Sequence, residues 1–108
     1  MAPFRKLEAL DVTLCPVDDK GLESLQGMTG LRRLRLGDTL ITDASMRVVG
    51  QFANLEELDL HGTAISDAGI RDLKEFTHLR DLGVALTKVS MNGAKELRTA
   101  LPKTTVSR

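Results

Sequence analysis

The chain repeats itself every 24 residues along almost its whole length. Four leucines begin successive repeats: Leu7, Leu31, Leu55 and Leu79. A second column follows three residues later: Leu10, Leu34, Leu58 and Leu82. No insertion or deletion interrupts the register, and a fixed period of this length is typical of stacked supersecondary units. The sequence therefore predicts a single solenoid domain over 1–108, with repeats at 7–30, 31–54, 55–78 and 79–102.

Each repeat begins with a strand pattern. In the third repeat, polar and apolar residues alternate from Glu57 to His61, which predicts a strand with Leu58 and Leu60 facing the core. Consecutive strands must pair in parallel, because each returns through a helix on the same side. Strands lie about 4.8 Å apart and helices about 10 Å apart, so we expect the sheet to line the inside of a curve.

A helix pattern follows each strand. Ser66 followed by Asp67 predicts an N-cap with an acidic residue in the first helical turn. Ile70, Leu73 and Phe76 are three residues apart, so one helical face is expected to pack on the sheet. The equivalent residues of the other repeats are Leu22, Leu25 and Met28; Met46, Val49 and Phe52; and Ala94, Leu97 and Ala100. Gly21, Gly69 and Gly93 recur in the same column, as small residues of a crowded first turn.

The pattern L-x-x-L-x-L-x-x-T-x-I-T/S-D-A-G/S-I/M, from Leu7 to Pro102, resembles leucine-rich repeats. The helix start I-T-D-A-G resembles the cysteine-containing subfamily and its shorter bacterial relatives. In those proteins a Cys, Asn or Thr commonly follows the strand, and here that column contains Cys15, Thr39, Thr63 and Thr87. The resemblance implies an α/β right-handed leucine-rich repeat solenoid. It also implies a parallel sheet on the concave side, helices on the convex side, and recognition by the concave face.

The two ends of the chain differ. Phe4 falls in the column of Phe52, as if the chain began with the last turn of an earlier repeat, which leaves the first strand, 9–13, as an edge. The first residues either fold over this edge, or another copy or further repeats complete it. At the other end, residues 103–108 are predicted to add a capping strand with Val106 facing inward.

Exposed strand residues are the candidate partner-binding site on the concave face. They are Asp11, Arg33, Arg35, Glu57, Asp59, His61 and Asp81. Arg35 should lie between Asp11 and Asp59, and Arg33 beside Glu57. One interpretation is that these charges pair along the sheet and stabilise one another by about 0.2–1 kcal/mol per pair. The other is that they form a patterned surface for a complementary partner.

Other candidate sites are weaker. His61 can contact Asp59, but an enzyme also needs a nucleophile or pocket, and Thr63 belongs to the turn column, so His61 is interpreted as a solvated surface residue. Cys15 is interpreted as a half-buried structural thiol. Leu14 and Leu86 are either exposed anchors for a partner or core residues of atypical turns.

Composition narrows the function classes. Fifteen basic and fifteen acidic residues give zero net charge, and aromatics are 3%, so nucleic-acid binding is not expected. No apolar run could span a bilayer, and the single cysteine fits a reducing, cytoplasmic setting. We expect no cofactor, no metal and no catalysis. The predicted function is a protein–protein interaction module that uses its concave strand face. The alternative is an assembly role, by self-association or extension of a larger solenoid through the first strand.

Overall fold

The computed structural model describes residues 7–76 and 78–108. Five short strands form one parallel sheet in chain order. The strands are β1 Ala9–Asp11, β2 Arg33–Arg35, β3 Glu57–Asp59, β4 Asp81–Gly83 and β5 Thr105–Ser107. Each residue pairs with the residue 24 positions later, as when Leu10 lies opposite Leu34. The predicted parallel, in-register sheet is confirmed.

The strands end two residues earlier than predicted, because the chain turns through a left-handed residue. This column has φ values of 67°, 53°, 68° and 58° at Leu14, Asp38, Gly62 and Leu86. The threonine of the next column then closes the turn: Thr39 Oγ1 donates to the Leu36 carbonyl at 2.7 Å, and Thr63 Oγ1 repeats the bond at 2.6 Å.

Cys15 differs from the threonines of its column. Its side chain is exposed, so the interpretation as a half-buried thiol is wrong. The thiol is a weaker hydrogen-bond donor than a hydroxyl. The backbone N–H of Cys15 bonds to the Val12 carbonyl at 2.9 Å, as that of Thr63 bonds to the Leu60 carbonyl at 3.3 Å.

Short helical segments return the chain behind the sheet. The α-helices are α1 Asp19–Glu23, α2 Met46–Val49, α3 Asp67–Ile70 and α4 Met91–Ala100. Two 3₁₀ segments complete the middle repeats, at Asp43–Ser45 and Arg71–Glu75. The helices occupy their predicted places, but only α4 exceeds two turns.

Most of the predicted core is buried, and the exceptions lie in the first repeat and at the end of α4. The inward leucines of the sheet and the aliphatic residues of the helices form one continuous cluster. Ala100 is exposed, contrary to the prediction, because α4 ends there and Leu101 takes the buried place. Leu25 and Met28 are only half-buried, since the first repeat has one neighbouring repeat among the described residues.

An aspartate ladder, defined here by Asp19, Asp43 and Asp67, ties each helix start to the next repeat. Asp67 accepts the backbone N–H of Ser90 at 2.9 Å and its hydroxyl at 2.6 Å. Asp19 does the same with Thr42, at 2.7 and 2.6 Å. These carboxylates lie in the first turn, as predicted, but bond across repeats.

The glycine column makes room for this ladder. A Cβ on Gly69 would overlap the carboxylate of Asp43, and one on Gly93 would overlap that of Asp67. In the second repeat Ser45 takes the column position and donates its hydroxyl to Asp19 at 2.5 Å. The predicted crowding is therefore caused by the preceding aspartate.

The two ends of the sheet differ in burial. Val106 in β5 is buried, as predicted for the capping strand. Leu10 and Val12 around β1 are only half-buried, whereas Leu34 in β2 is fully buried. The predicted role of Phe4 lies outside the described residues.

Candidate functional site

The strands bring the seven predicted partner-binding residues onto one face. Six of them lie in β1 to β4, and His61 lies two residues after the end of β3. Strand pairing aligns Arg33, Glu57 and Asp81 in one row across the sheet. A second row contains Asp11, Arg35, Asp59 and Gly83. Opposite charges therefore alternate along each row near β2.

Two of the expected lateral ion pairs are present. Arg33 Nε lies 3.9 Å from Glu57 Oε2, and Arg35 Nη1 lies 3.9 Å from Asp11 Oδ2. Arg35 lies between Asp11 and Asp59 in register but pairs only with Asp11 among the described residues. Exposed pairs of this kind contribute about 0.2–1 kcal/mol each. Their charges remain open to solvent and to a partner.

A further charged row lies just before the strands, outside the predicted set. Arg32 Nε lies 3.4 Å from Glu8 Oε1 and 3.7 Å from Glu56 Oε2. Arg80 Nε continues the row, 3.9 Å from Glu56 Oε1. The alternation of Glu and Arg at the 24-residue spacing was the signal in the sequence that could have identified it.

Gly83 creates an acidic hollow in the concave face. The hollow has a volume of about 650 Å³, and its charged or titratable lining residues are Asp11, Arg35, Glu57, Asp59, His61 and Asp81. A Cβ on Gly83 would lie 2.7 Å from Asp59 Oδ1, so the glycine leaves the Asp59 carboxylate room to lean over it. Four carboxylates and one guanidinium group thus border a space large enough for one side chain of a partner, so the hollow is acidic on balance. This arrangement favours a basic side chain by simple charge complementarity.

His61 is held between two carboxylates. Nδ1 lies 2.6 Å from Asp59 Oδ2, as the sequence allowed, and Nε2 lies 3.1 Å from Asp38 Oδ2, which the sequence did not indicate. The hydrogen bond with Asp59 raises the pKa of His61, burial opposes this, and the charges of Asp59 and Asp38 add to the rise. The side chain is 32% exposed, so it is less solvated than expected.

The histidine needs a glycine beside it. A Cβ on Gly37 would overlap the ring of His61, so Gly37 provides its seat. The nearby Thr63 hydroxyl is buried and donates to the Leu60 carbonyl. It is therefore engaged in the turn and not directed at the imidazole.

Asp11, the last residue of β1, is held by two hydrogen bonds from Thr13. The Thr13 hydroxyl donates to Asp11 Oδ1 at 2.6 Å and its backbone N–H at 3.0 Å. These bonds, the hydroxyl's first, together with the charge of Arg35, lower the pKa of Asp11. The Asp11 carboxylate is thereby fixed in its charged form at neutral pH.

The exposed leucines lie at the rim formed by the turns after the strands. Leu14 is 75% exposed and Leu86 is 85% exposed. Neither packs in the core, so the core-packing interpretation of these turns is wrong. Between the turns and the helices, Leu40 is exposed as well.

Two kinds of feature are absent from residues 7–76 and 78–108. Within them, no group of three or more His, Cys, Asp or Glu side chains is arranged to hold a metal ion. The same part of the chain contains no helix with the length and apolarity that a bilayer crossing requires.

The chain is similar to known proteins in sequence pattern and in fold. A leucine-rich repeat family model matches residues 5–25 and 53–74. A leucine-rich repeat protein of Leptospira interrogans superposes with a TM-score of 0.64 and 17% identity, over 94% of this chain and 25% of that one. The structure of the Mex67:Mtr2 subunits from Chaetomium gives 0.70 and 17%, over 92% of this chain and 78% of the other. No curated protein sequence matches.

The two structural similarities are limited in coverage and in sequence identity. The chain spans a quarter of the length of the Leptospira protein, and identities of 17% show the fold alone. The cysteine-containing subfamily and a bacterial type stay predictions. The period of 24 residues, the parallel sheet, the family match and the two superpositions agree, and the chain has a leucine-rich repeat fold.

Proposed function

We propose that the chain is a non-catalytic protein-interaction module that binds a partner on its concave strand face. The observation that carries the proposal is the hollow at Gly83, bordered by Glu57, Asp59 and Asp81. A basic side chain of the partner would enter this hollow. The exposed guanidinium groups of Arg33 and Arg35, both on β2 and two strands away from Gly83, would receive acidic groups of the same partner.

The arrangement supports recognition because the charges are held in place before a partner arrives. Asp11 is fixed by Thr13, and Asp59 is fixed by His61, which is itself held by Asp38. Groups that are already oriented lose less conformational entropy when they bind. Complementary charges on a partner would raise its association rate and select against partners of the wrong charge.

The size of the face limits the affinity. Five strands about 4.8 Å apart and three residues of about 3.3 Å each give roughly 240 Å² of strand surface. A standard interface buries about 800 Å² on each partner. The strand face alone therefore predicts weak binding, and a tight complex must also use neighbouring surfaces.

Site-specific photo-crosslinking tests the proposal. A photoreactive amino acid replaces Arg33 on the concave face, and in a matched control it replaces the exposed Arg47 of α2 on the convex side. Irradiation in cells of the source organism should give a discrete protein adduct from position 33 and none from position 47. Adducts from position 47 alone, or equal adducts from both, would contradict the proposal, as would no adduct from either.

The second candidate is self-association through β1. The observation that favours it is the half-burial of Leu10 and Val12 beside the outer edge of β1, which pairs with no other strand among the described residues. The Val12 N–H donates to the Arg35 carbonyl of β2. Because N–H groups alternate in direction along a strand, that of Ala9, three residues earlier, points away from β2. A second copy could pair with this edge.

Extension by a further repeat of the same kind is less favoured chemically. In the aspartate ladder, a residue such as Ser66 donates its hydroxyl proton to the aspartate of the preceding repeat. The equivalent residue of the first repeat is Asp18, whose carboxylate instead caps the Gly21 N–H at 2.8 Å. A preceding repeat with an aspartate in the ladder column would place two carboxylates together.

Sedimentation analysis distinguishes the second candidate from a monomeric module. If β1 mediates association, the chain sediments as a dimer, Ala9→Pro dissociates it, and the control Ala9→Ser, which keeps the N–H, does not. A monomer at all concentrations would exclude this candidate.

A further inference from the structure

The turn rim contains two leucines that the fold does not require. Leu14 and Leu86 have left-handed backbone conformations, with φ of 67° and 58°. The other two residues of their column are Asp38 and Gly62, types that adopt this conformation more readily. Both leucines are exposed, so burial of their side chains does not offset the backbone strain. Strained residues that the packing does not explain are characteristic of functional positions.

Backbone bonds between neighbouring turns hold the four residues in a row. Leu14 N–H donates to the Gly37 carbonyl at 2.9 Å, Asp38 N–H to that of His61 at 2.8 Å, and Gly62 N–H to that of Ala85 at 2.9 Å. The turns therefore continue the spacing of the sheet, about 4.8 Å per strand. Three such steps separate Leu14 from Leu86 by about 14 Å.

The middle of the row carries an acidic side chain, at Asp38, and no side chain at Gly62. Asp38 is 42% exposed at its side chain, and Gly62 contributes no side chain beside it. A Cβ on Gly62 would overlap Asp38 Oδ1, so the glycine leaves that carboxylate in place. Two carboxylates, Asp38 and Asp59, flank the one imidazole of His61. Two apolar anchors thus border a centre that favours a positive charge.

We propose that the row Leu14–Asp38–Gly62–Leu86 binds an extended segment of a protein partner with the pattern apolar-x-basic-x-apolar. In an extended strand, residues i and i+4 lie on one face about 13 Å apart, which matches the separation of the two leucines. Residue i+2 lies on the same face midway between them, opposite Asp38 and Gly62. Its positive charge would pair with Asp38.

This surface adds to the concave face and does not depend on it. The strand face is too small for a standard interface, and the rim lies at the ends of the same strands. The exposed Leu40 lies beside the segment that follows the first turn, where its N–H donates to the Val17 carbonyl at 2.8 Å.

A random peptide display library tests the proposal. The wild-type protein is the bait, and the counter-selection bait is the double variant Leu14→Asn/Leu86→Asn, because asparagine tolerates the left-handed conformation. We expect enriched peptides with two apolar residues four positions apart and Lys or Arg midway. The dissociation constant of an enriched synthetic peptide should rise at least tenfold for the double variant and for Asp38→Asn. It should stay within twofold for Arg47→Ala, the control on the convex side, and Arg33→Ala on the concave face is measured in parallel.

The outcomes separate this surface from the alternatives. Enriched peptides without the pattern, no enrichment, or equal binding to the double variant would overturn the proposal. Loss of binding in Arg33→Ala alone would assign the peptides to the concave face and would also overturn it. The double variant should fold at least as stably as the wild type in urea unfolding, and a marked loss of stability would instead make the leucines structural.

Discussion

The carboxylate of Asp43 accepts hydrogen bonds from both the backbone N–H and the hydroxyl of Ser66, in the next repeat. The N–H bond measures 2.8 Å. Ser66 begins the next helix, so one side chain satisfies a helix-start donor of another repeat. Asp19 and Asp67 form the same bonds at their own positions. The ladder thus fixes how neighbouring repeats stack.

Removal of one ladder carboxylate should destabilise the fold. We predict that Asp43→Ala lowers the free energy of unfolding by about 1.5–3 kcal/mol, since hydrogen bonds to charged groups are worth about that much. Asp72→Ala, at an exposed position of the 3₁₀ segment Arg71–Glu75, is the control and should change it by less than about 0.5 kcal/mol. Urea unfolding monitored by circular dichroism gives both values. Equal effects of the two substitutions would refute the role of the ladder.

The glycine column provides a matched pair of substitutions. Gly21→Ala should raise the free energy of unfolding by about 0.4–1 kcal/mol, because its Cβ would make ordinary contacts, at 3.4 Å from Asp18 Oδ1 and 3.5 Å from Val17. Gly69→Ala should lower it, because its Cβ would overlap the Asp43 carboxylate. Both glycines occupy the same position in their helices, so the aspartate is the main difference.

A double variant isolates the cause. In Asp43→Ala/Gly69→Ala the overlap is gone, so the combined loss should be smaller than the sum of the two single losses. Additive losses in the same urea experiment would show that Gly69 is required for a reason other than the aspartate.

The periodic apolar residues were predictable and the contacts between polar groups were not. Leu34 and Leu58 had to share a face because burial of alternating leucines leaves one register for the strands. The direction of the Asp43 side chain depends on where the next repeat lies, which the pattern within one repeat does not contain.

Isolated substitutions within a column were also hard to interpret. Cys15 was expected to behave like Thr39, but a column position implies the same burial only if the side chain can make the same bond. His61 was interpreted as solvated, because its contact with Asp38 joins two repeats and the pattern within one repeat does not show it. The candidate face was thus predicted in outline, while its fixed geometry required the structure.

Acid should weaken the ladder. Burial works to raise the pKa of Asp19, but hydrogen bonds from Ser45 and Thr42 outweigh it and lower the pKa below 3.8. A carboxyl whose pKa is lowered in the folded state stabilises that state above its unfolded pKa, and loses this effect as the pH falls through the folded pKa. The free energy of unfolding should therefore fall below about pH 4, and Asp19→Asn should fall less steeply. Parallel pH profiles of the two proteins would contradict this.

His61 should titrate in the opposite direction. The hydrogen bond with Asp59 and the neighbouring carboxylates raise its pKa above 6.5. Its stabilising effect is complete below pH 6.5 and is lost as the pH rises through the folded pKa. NMR titration of the imidazole should show a larger fall in this pKa for Asp59→Asn than for Asp38→Asn. An unchanged pKa in Asp59→Asn would contradict the role of this hydrogen bond.

Recognition by the concave face is tested most directly by NMR with the partner obtained by crosslinking. Unlabelled partner is added to the isotope-labelled chain, and the change in each backbone amide signal is measured. We predict that the largest changes fall in β2, β3 and β4, at Arg33, Glu57, Asp59 and Asp81, and that α1 to α4 change little. The largest changes in the helices, with the strand amides unaffected, would contradict recognition by this face.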